Sequence, residues 1–333
     1  MRTFLALDGG GTKSLCLVAD DRGRILGHGA GGGANVNLVP ETVARRSIRD
    51  AVETAWAAAG VPAAPQQAVI SGPVISLTQA IIAETTGALS ISRVSESEAA
   101  WNSVRPWLAR DYDLPLDTAV MIDAGTGSTA GGRNQAGQHV GVGGWGWLLG
   151  DEGSGFWIGL KAVQAAIQAQ DGRGPSTMLL EGICAHLNLT SLHELIPRVY
   201  QSKRGVRQIA SLGPLVSELA RRGDEQSQAI LAVAGYELAR MVNVIVLRLG
   251  IGKQAFAVIP FGSVFKAGDV LLTPFRTAVL KVAPRAQVVL PRYESVVGTL
   301  LVAMQRGDIP TAQVWSDIER ALADVKRIQV TVE

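Results

Sequence analysis

The sequence has few cysteines and no excess of charge of either sign. Cys16 and Cys184 are the only cysteines in 333 residues, and no C-x-x-C pair occurs. This argues against a zinc knuckle, a disulfide scaffold and an iron–sulfur centre held within one chain. Basic and acidic residues number 31 and 29, a formal net charge of +2. That balance argues against nucleic acid or an anionic membrane surface as the main partner.

Long hydrophobic runs are also missing. The apolar N-terminal run ends at Asp8, which makes it too short for a signal sequence. The most apolar later stretch, residues 241–251, contains Asn243 and Arg248 and is too short to span a bilayer. Since 47% of the residues are hydrophobic and 18% are charged, we expect a cytoplasmic, folded protein of about two domains.

A strand followed by a glycine turn occurs twice. The apolar strand Thr3 to Leu7 ends in Asp8-Gly9-Gly10-Gly11-Thr12, and the strand Thr118 to Ile122 ends in Asp123-Ala124-Gly125-Thr126-Gly127-Ser128. Asp8 and Asp123 lie 115 residues apart, and each closes a strand and opens a turn. The sequence therefore predicts an internal duplication, and its alternating strands and helices indicate an α/β protein.

The same patterns predict four further elements. Residues 29–33 are expected to form a glycine-rich loop, and the next helix runs from Pro40 to Ala59, with Gly60 just past its end. Further helices are expected over residues 209–222 and, at the C-terminus, from Thr311 to Lys326.

The first turn has the composition of a phosphate-binding loop. Glycines between two strands leave backbone N–H groups free for phosphate oxygens, and an aspartate at the strand end can hold Mg²⁺ through water. The alternative is an ordinary tight hairpin, which needs fewer glycines and no leading aspartate. The Walker A pattern is absent. By itself, the second turn is weak evidence for phosphate binding. It becomes more specific evidence because it is a second copy of the first turn.

Residues 141–155 contain seven glycines, one serine, two tryptophans and two carboxylates. The start of the segment matches G-x-G-x-x-G. We reject a dinucleotide site because no long strand leads into it, no helix opens directly from it and no acidic residue follows at the required distance. The mixture favours a ligand-binding loop. For Glu152, a solvated N-cap pair with Asp151 before the next helix is the alternative.

Two further segments have simple structural explanations. Gly262 and Ser263 follow a buried strand, where a glycine is common in α/β proteins. Ser95 and Glu98 fit a capping box at a helix start. The box does not use Glu96, which follows a predicted strand and is placed where a cleft would be.

Together these segments resemble the sugar kinase, actin and Hsp70-like ATPases, and among them the N-acetylglucosamine kinase / BadF-BadG-BcrA-BcrD ATPase family. The resemblance rests on Gly144-Trp145-Gly146 and Gly150-Asp151-Glu152-Gly153-Ser154, placed after the second turn, and runs from residue 3 to about residue 304. It implies two ribonuclease-H-like domains that close on ATP, Mg²⁺ and a sugar, and a homodimer. The expected domains are 1–117, 118–306 with a helical insertion, and a C-terminal segment 307–333 that could pack back on the first.

The resemblance also implies roles for individual residues. Asp8 would lie near the metal. ATP would contact Gly10, Gly11, Thr12, Lys13, Gly125, Thr126, Gly127, Gly262 and Ser263. The amino sugar would contact Asn35, Ser128, Thr129, Gly144, Trp145, Gly146 and Asp151. The family's base is usually the aspartate of an Asn-Asp-Ala segment, where this chain has Ser95-Glu96-Ser97, so the implied catalytic base is Glu96.

Three functions remain open at this point. The leading hypothesis is an ATP-dependent kinase that phosphorylates the 6-hydroxyl of N-acetylglucosamine or glucosamine. The second is an ATPase that activates a partner redox enzyme. Such activators hold an iron–sulfur cluster with cysteines at a subunit interface, whereas Cys16 and Cys184 adjoin neither glycine turn. The third is a sugar-sensing regulator without turnover.

Overall fold

A computed structural model of the chain describes residues 1–36, 39–72, 75–200, 205–325, 328 and 330. The chain divides into two compact units. The first consists of Met1–Asp113 and Pro291–Thr331, and the second contains Leu114–Leu290. Each unit is an α/β structure with its own sheet.

The described residues form ten strands in two five-stranded sheets. The strands are β1 (Thr3–Gly9), β2 (Lys13–Asp20), β3 (Ile25–Gly32), β4 (Gln67–Ser71), β5 (Ile91–Arg93), β6 (Ala119–Ala124), β7 (Ser128–Arg133), β8 (His139–Gly143), β9 (Phe256–Phe261) and β10 (Ala286–Val288). The first sheet has the order β3-β2-β1-β4-β5, and the second has β10-β9-β6-β7-β8. Read from β8, the second order is the first repeated, with the same parallel and antiparallel pairs. The predicted duplication is confirmed.

The helices cover the sheets within each unit. They are α1 (Glu41–Ala59), α2 (Ile75–Thr86), α3 (Glu96–Asp111), α4 (Gly155–Gln170), α5 (Leu179–Leu187), α6 (Leu195–Tyr200), α7 (Gly205–Ala210), α8 (Gly213–Arg221), α9 (Glu225–Leu249), α10 (Asp269–Val282), α11 (Ser295–Arg306) and α12 (Thr311–Ala323). Short 3₁₀ helices occupy Leu192–Glu194 and Ser263–Ala267.

Helix α9 is long and apolar enough to cross a membrane by length and composition alone. One side of it carries buried residues, including Leu231, Leu238 and Ile245, that belong to the core of the second unit. It also packs on α10 and on strands of the sheet. We therefore interpret α9 as a core helix.

The glycines at positions 29–33 were expected to form a loop, but most of them lie in β3. A Cβ on Gly29 would lie 2.0 Å from the carbonyl oxygen of Ala51, and one on Gly31 would lie 1.9 Å from that of Ser47. These glycines allow the backbone of α1 to lie directly on the strand. Close packing, and not loop formation, explains the glycines.

The boundary between the units differs from the expected one at residue 306. Helix α11 belongs to the first unit, where it packs on β1, β4 and α3. A Cβ on Gly298 would lie 1.7 Å from the carbonyl oxygen of Ala99, so α11 and α3 touch backbone to backbone. The C-terminal residues as far as 331 group with the same unit.

Other differences are local. Strand β8 was not predicted, although it leads directly into the glycine-rich segment. The helix expected over 209–222 is two helices, α7 and α8, separated by a turn at Ser211 and Leu212. The last helix ends at Ala323, and Lys326, where it was expected to end, lies outside the described residues.

Candidate active site

The first turn joins β1 to β2 in the first unit. Gly9 pairs with Ser14, so Gly10, Gly11 and Thr12 form the tip, closed by a 2.8 Å hydrogen bond from the Gly10 amide to the Lys13 carbonyl. Among the described residues, the amides of Gly11 and Thr12 donate to no protein acceptor. Two free amides beside each other suit the oxygens of a phosphate.

Asp8 is the second-to-last residue of β1, and both of its carboxylate oxygens accept hydrogen bonds. Ser71 donates to Oδ1 and Ser295 donates to Oδ2, each over 2.6 Å. Ser71 is the neighbour of Asp8 in the parallel pairing of β1 with β4. Burial raises the pKa of Asp8, while the two hydroxyl donors act in the opposite direction. Both donors are neutral, and the attraction of nearby Lys13 is opposed by the repulsion of Glu294.

Lys13, expected to contact ATP, is already paired. Its Nζ lies 2.6 Å from Oε1 of Glu294, the N-cap residue of α11. The Lys13 side chain is 46% exposed, so a phosphate could still reach it. The pair places its ammonium beside the first turn.

Glu96, the expected base, is the first residue of α3. Ser95 caps this helix by accepting a 3.2 Å hydrogen bond from the Glu98 amide, as predicted. The Glu96 side chain takes no part in this cap. Partial desolvation raises the pKa of Glu96, and repulsion from Asp8 raises it further. The attraction of Arg93 acts in the opposite direction, and Glu96 is exposed and belongs to the same unit as Asp8.

Asn35 follows β3 in the first unit and is half-buried. Its carbonyl oxygen accepts a 3.0 Å hydrogen bond from the amide of Val39. Its backbone position is thus fixed by a turn. Its predicted contact with a sugar stays a prediction.

The second turn joins β6 to β7 in the second unit. Ala124 pairs with Ser128, which leaves Gly125, Thr126 and Gly127 in the turn. Helix α4 begins directly against it: the amide of Gly155 donates to the Gly125 carbonyl over 2.8 Å, and that of Phe156 donates to the Thr126 carbonyl over 3.2 Å. The first amides of α4, which have no partner inside the helix, thereby hold the turn in place.

Asp151 lies where the second turn meets the glycine-rich loop, which is the segment of residues 141–155. Its carboxylate lies beside the second turn, where a Cβ on Gly127 would lie 2.6 Å from Oδ2, and the backbone amides of Ser128 and Gly146 act to lower its pKa. The side chain is 8% exposed, and burial, followed by repulsion from Glu152, raises its pKa. A φ of +59° at Asp151 is rare for a residue other than glycine. Such a conformation persists where surrounding contacts hold it, often at functional sites.

The capping alternative for Asp151 and Glu152 is wrong. The N-cap of α4 is Ser154, whose hydroxyl accepts a hydrogen bond from the amide of Trp157 over 3.2 Å. Asp151 points inward instead, and Glu152 contributes its carbonyl oxygen to Ser128 Oγ at 2.9 Å.

Trp145 is exposed between two glycines. Gly144 and Gly146 have φ values of +74° and +84°, and Trp145 is 74% exposed. The Gly144 amide donates to the Ser128 carbonyl over 3.0 Å, and Thr129 Oγ1 lies 3.4 Å from a carbonyl oxygen of β8. The loop thus presents an aromatic ring to solvent beside the second turn, an arrangement suited to the apolar face of a sugar.

Gly262 follows β9, the parallel neighbour of β6. Its φ is +97°, and a Cβ there would lie 2.3 Å from the Ala124 carbonyl oxygen. This close approach is the structural explanation that the sequence favoured. Ser263 begins the 3₁₀ helix that follows. The predicted adenosine contacts of both residues stay predictions.

The predicted site residues fall into two groups, one in each unit. The first unit holds Asp8, Gly10, Gly11, Thr12, Lys13, Asn35 and Glu96, and the second holds the other predicted residues. Sequence reasoning missed Ser71, Glu294 and Ser295. Ser71 ends a buried strand just before a glycine, a signal that could have drawn attention to it. Ser295 and Glu294 come to Asp8 and Lys13 only through tertiary packing.

The residues around Asp8 fit a magnesium ion that arrives with a nucleotide. No group of three or more His, Cys, Asp or Glu side chains among the described residues could hold a metal. Mg²⁺ commonly takes only one or two carboxylates and completes its shell with water and phosphate oxygens. Asp8, with a charge that only neutral hydroxyls contact, is suited to this role.

Comparison with known proteins identifies the family. A profile of the BadF/BadG/BcrA/BcrD ATPase family matches residues 5–98 and 110–303. The chain belongs to this family.

Three curated relatives are named as amino-sugar kinases. An N-acetylmuramic acid/N-acetylglucosamine kinase of Clostridium acetobutylicum is 33% identical over 57% of this chain, and the match spans 62% of that relative. An N-acetyl-D-glucosamine kinase of Dictyostelium discoideum is 27% identical over 90% of this chain and 97% of its own length. A glucosamine kinase of Vibrio cholerae is 29% identical over 67% of this chain and 74% of its own length.

The fold has a close match among solved structures. A protein of Chromobacterium violaceum, provisionally assigned as an N-acetylglucosamine kinase, superposes with a TM-score of 0.69 at 23% identity. The match covers 91% of this chain and 99% of that one. It supports the two-domain α/β fold expected from the sequence.

Proposed function

We propose that this protein is an ATP-dependent amino-sugar kinase that transfers the γ-phosphoryl group of ATP to the 6-hydroxyl of N-acetylglucosamine or glucosamine. The family and the names of the three relatives support sugar kinase activity. The observation that carries the proposal is the grouping of Asp8, Glu96 and the free amides of the first turn in one unit.

Glu96 supplies the base. Its carboxylate orients the sugar hydroxyl and accepts the proton as the new P–O bond forms and the bond to ADP breaks. The transition state of phosphoryl transfer is loose, so positioning and charge stabilisation provide most of the rate. The amides of Gly11 and Thr12 donate to the phosphate oxygens, and Mg²⁺, when bound beside Asp8, neutralises part of their charge.

The loop of the second unit supplies the sugar contacts in this proposal. Trp145 offers its exposed ring to the pyranose, and Gly144 and Gly146 allow the backbone to approach it. Asp151 places its carboxylate against Gly127 of the second turn and so holds the loop beside it.

The alternative function, activation of a partner redox enzyme, has less support. Cys16 is buried in β2, and burial raises the pKa of its thiol above the usual range. Cys184 is half-buried in α5. A buried thiol of raised pKa is poorly suited to ligate a cluster shared with another subunit.

The test measures ADP release from Mg·ATP with glucosamine, N-acetylglucosamine, N-acetylmuramic acid, glucose or no sugar. We expect one amino sugar to stimulate release and its 6-deoxy analogue to have no effect. Glu96→Gln should lower kcat by about 10²–10⁴-fold, the usual contribution of a general base. Glu98→Gln is the matched control, because the cap uses the backbone amide of Glu98, and it should retain near-normal activity.

The pH profile gives a second check. Because the pKa of Glu96 is raised, the activity should fall as the pH drops through that raised value. ATP hydrolysis that is equal with every sugar and with none would contradict the kinase proposal for this panel. It would favour the ATPase alternative.

A further inference from the structure

The carboxylate of Asp8 is held by hydroxyl groups from two separate elements. Ser71 comes from β4 and Ser295 from the first turn of α11, 287 residues away along the chain. An ionised carboxylate can only accept hydrogen bonds, so both hydroxyls must donate to it. Each oxygen of Asp8 therefore has one fixed partner, and the plane of the carboxylate is fixed with them.

A third hydroxyl supports the first two. Thr299 Oγ1, one helical turn after Ser295, lies 3.0 Å from Ser71 Oγ and 3.2 Å from the Ser295 carbonyl oxygen. Thr299 and Ser71 are both fully buried. With its own proton directed to Asp8, Ser71 can only accept from Thr299, whose single proton goes either to Ser71 or to the Ser295 carbonyl oxygen. Such networks of buried hydroxyls are rigid when every member has a partner.

The arrangement leaves Asp8 without a cation of its own. Among the described residues, no Lys or Arg forms an ion pair with Asp8. The nearby Lys13 attracts Asp8, but it is paired with Glu294, which repels Asp8. A desolvated carboxylate without a cationic partner is unfavourable by itself. A bound divalent ion would remove this cost, and the two serines leave further lone pairs of Asp8 available for it.

We propose that Ser295, together with Ser71, is a positioning residue that orients the Asp8 carboxylate for the binding of Mg²⁺·nucleotide. The assignment goes beyond the proposed function, since neither serine follows from the sequence motifs. Only the measurement of turnover depends on the proposed sugar kinase function; the binding measurement does not. Partners of metal-binding carboxylates, when removed, typically cost 10–100-fold in metal affinity or activity.

The test compares Ser295→Ala with Ser295→Thr, which keeps the hydroxyl. The matched control is Ser47→Ala, which removes a buried hydroxyl that donates to a backbone carbonyl in α1, away from Asp8. The measurements are the calorimetric Kd of Mg·ADP, the Mg²⁺ concentration that gives half-maximal turnover, and the Tm of the protein without ligand.

We expect Ser295→Ala to weaken Mg·ADP binding and to raise the half-maximal Mg²⁺ concentration, each by about 10-fold or more. Ser295→Thr should restore both to near the wild-type values, and Ser47→Ala should change neither. Ser71→Ala removes the donor to the other oxygen and should reproduce the loss, so the test does not depend on one variant folding well.

The proposal is overturned if Ser295→Ala and Ser71→Ala bind Mg·ADP as the wild type does and only lower the Tm. It is also overturned if Ser295→Thr, correctly folded, fails to restore binding. The binding measurement needs no sugar. A wild-type protein that binds Mg·ADP but phosphorylates no sugar would therefore remove the proposed function and leave the assignment of Ser295 testable.

Discussion

The strand–turn–strand segments of the two units share a backbone and differ in their side chains. Asp8 pairs with Ser71 across the parallel neighbour strand, and Asp123 pairs in the same way with Phe261. Where the first unit has a hydroxyl that donates to its aspartate, the second unit has a buried phenylalanine. The repeated fold thus specifies the position of the aspartate, and its neighbours decide what it can do.

The glycines after the neighbour strands show how closely the backbones correspond. Gly72 has a φ of +113°, and a Cβ there would lie 2.4 Å from the Gly9 carbonyl oxygen. Gly262 has a φ of +97°, and a Cβ there would lie 2.3 Å from the Ala124 carbonyl oxygen. Both positions need glycine, because each has a positive φ and each has a carbonyl oxygen where a Cβ would lie.

The two turns are also held by different groups. In the first unit, hydroxyls of β4 and α11 fix the aspartate beside the turn. In the second, the amides of α4 bind the turn carbonyls, and the carboxylate of Asp151 lies against Gly127. We infer that the first copy has specialised in the metal and the proton acceptor, and the second in placing the loop around Trp145.

Replacing the two aspartates gives the largest expected contrast. Asp8→Asn should lower kcat/KM by about 10²–10³-fold, since a metal contributes several kcal/mol of charge stabilisation. Asp123→Asn, at the same backbone position, should lower it by less than about 5-fold, or about 1 kcal/mol. Steady-state kinetics at saturating Mg²⁺ measures both. Equal losses in the two variants would remove the functional distinction between the turns.

Replacing the two glycines should reveal the shared backbone. Gly72→Ala and Gly262→Ala should each lower the free energy of unfolding by about 2–4 kcal/mol, because a positive φ and a close carbonyl oxygen both oppose a Cβ. Gly60→Ala is the control, with a φ of +60° and open space around its Cβ, and should cost about 1–2 kcal/mol. Urea unfolding measures all three. A loss at only one of the two equivalent sites would show that the copies tolerate strain differently.

Asp151→Asn gives the smallest expected effect. The substitution replaces a carboxylate oxygen near the backbone amides of Ser128 and Gly146 with an NH₂ group, so we expect a loss of about 1–2 kcal/mol in the free energy of unfolding. The sugar KM should rise as well, because the loop loses its tie to the second turn. Glu152→Gln, an exposed neighbour, is the control. Unchanged stability and unchanged KM would show that Asp151 does not hold the loop.

Local sequence signals predicted the features that depend on neighbours along the chain. The glycine turns after Asp8 and Asp123, the cap at Ser95 and the end of α1 at Gly60 all lie where the sequence places them. Local signals were insufficient where distant packing decides. The glycines of β3 look like a loop because nothing near them in sequence shows that α1 lies on them.

By itself, the sequence determined the α/β class, the duplication, the two turns and the family, because each is written in short runs of residues whose conformations are local. The tertiary structure alone decided that α11 returns to the first unit and that Ser295 and Glu294 reach Asp8 and Lys13. It also decided that the Asp151 carboxylate turns inward against Gly127. The contact of Asp8 with Ser295 joins residues 287 positions apart, and the position of Asp151 depends on a rare φ, so no periodicity along one chain encodes them.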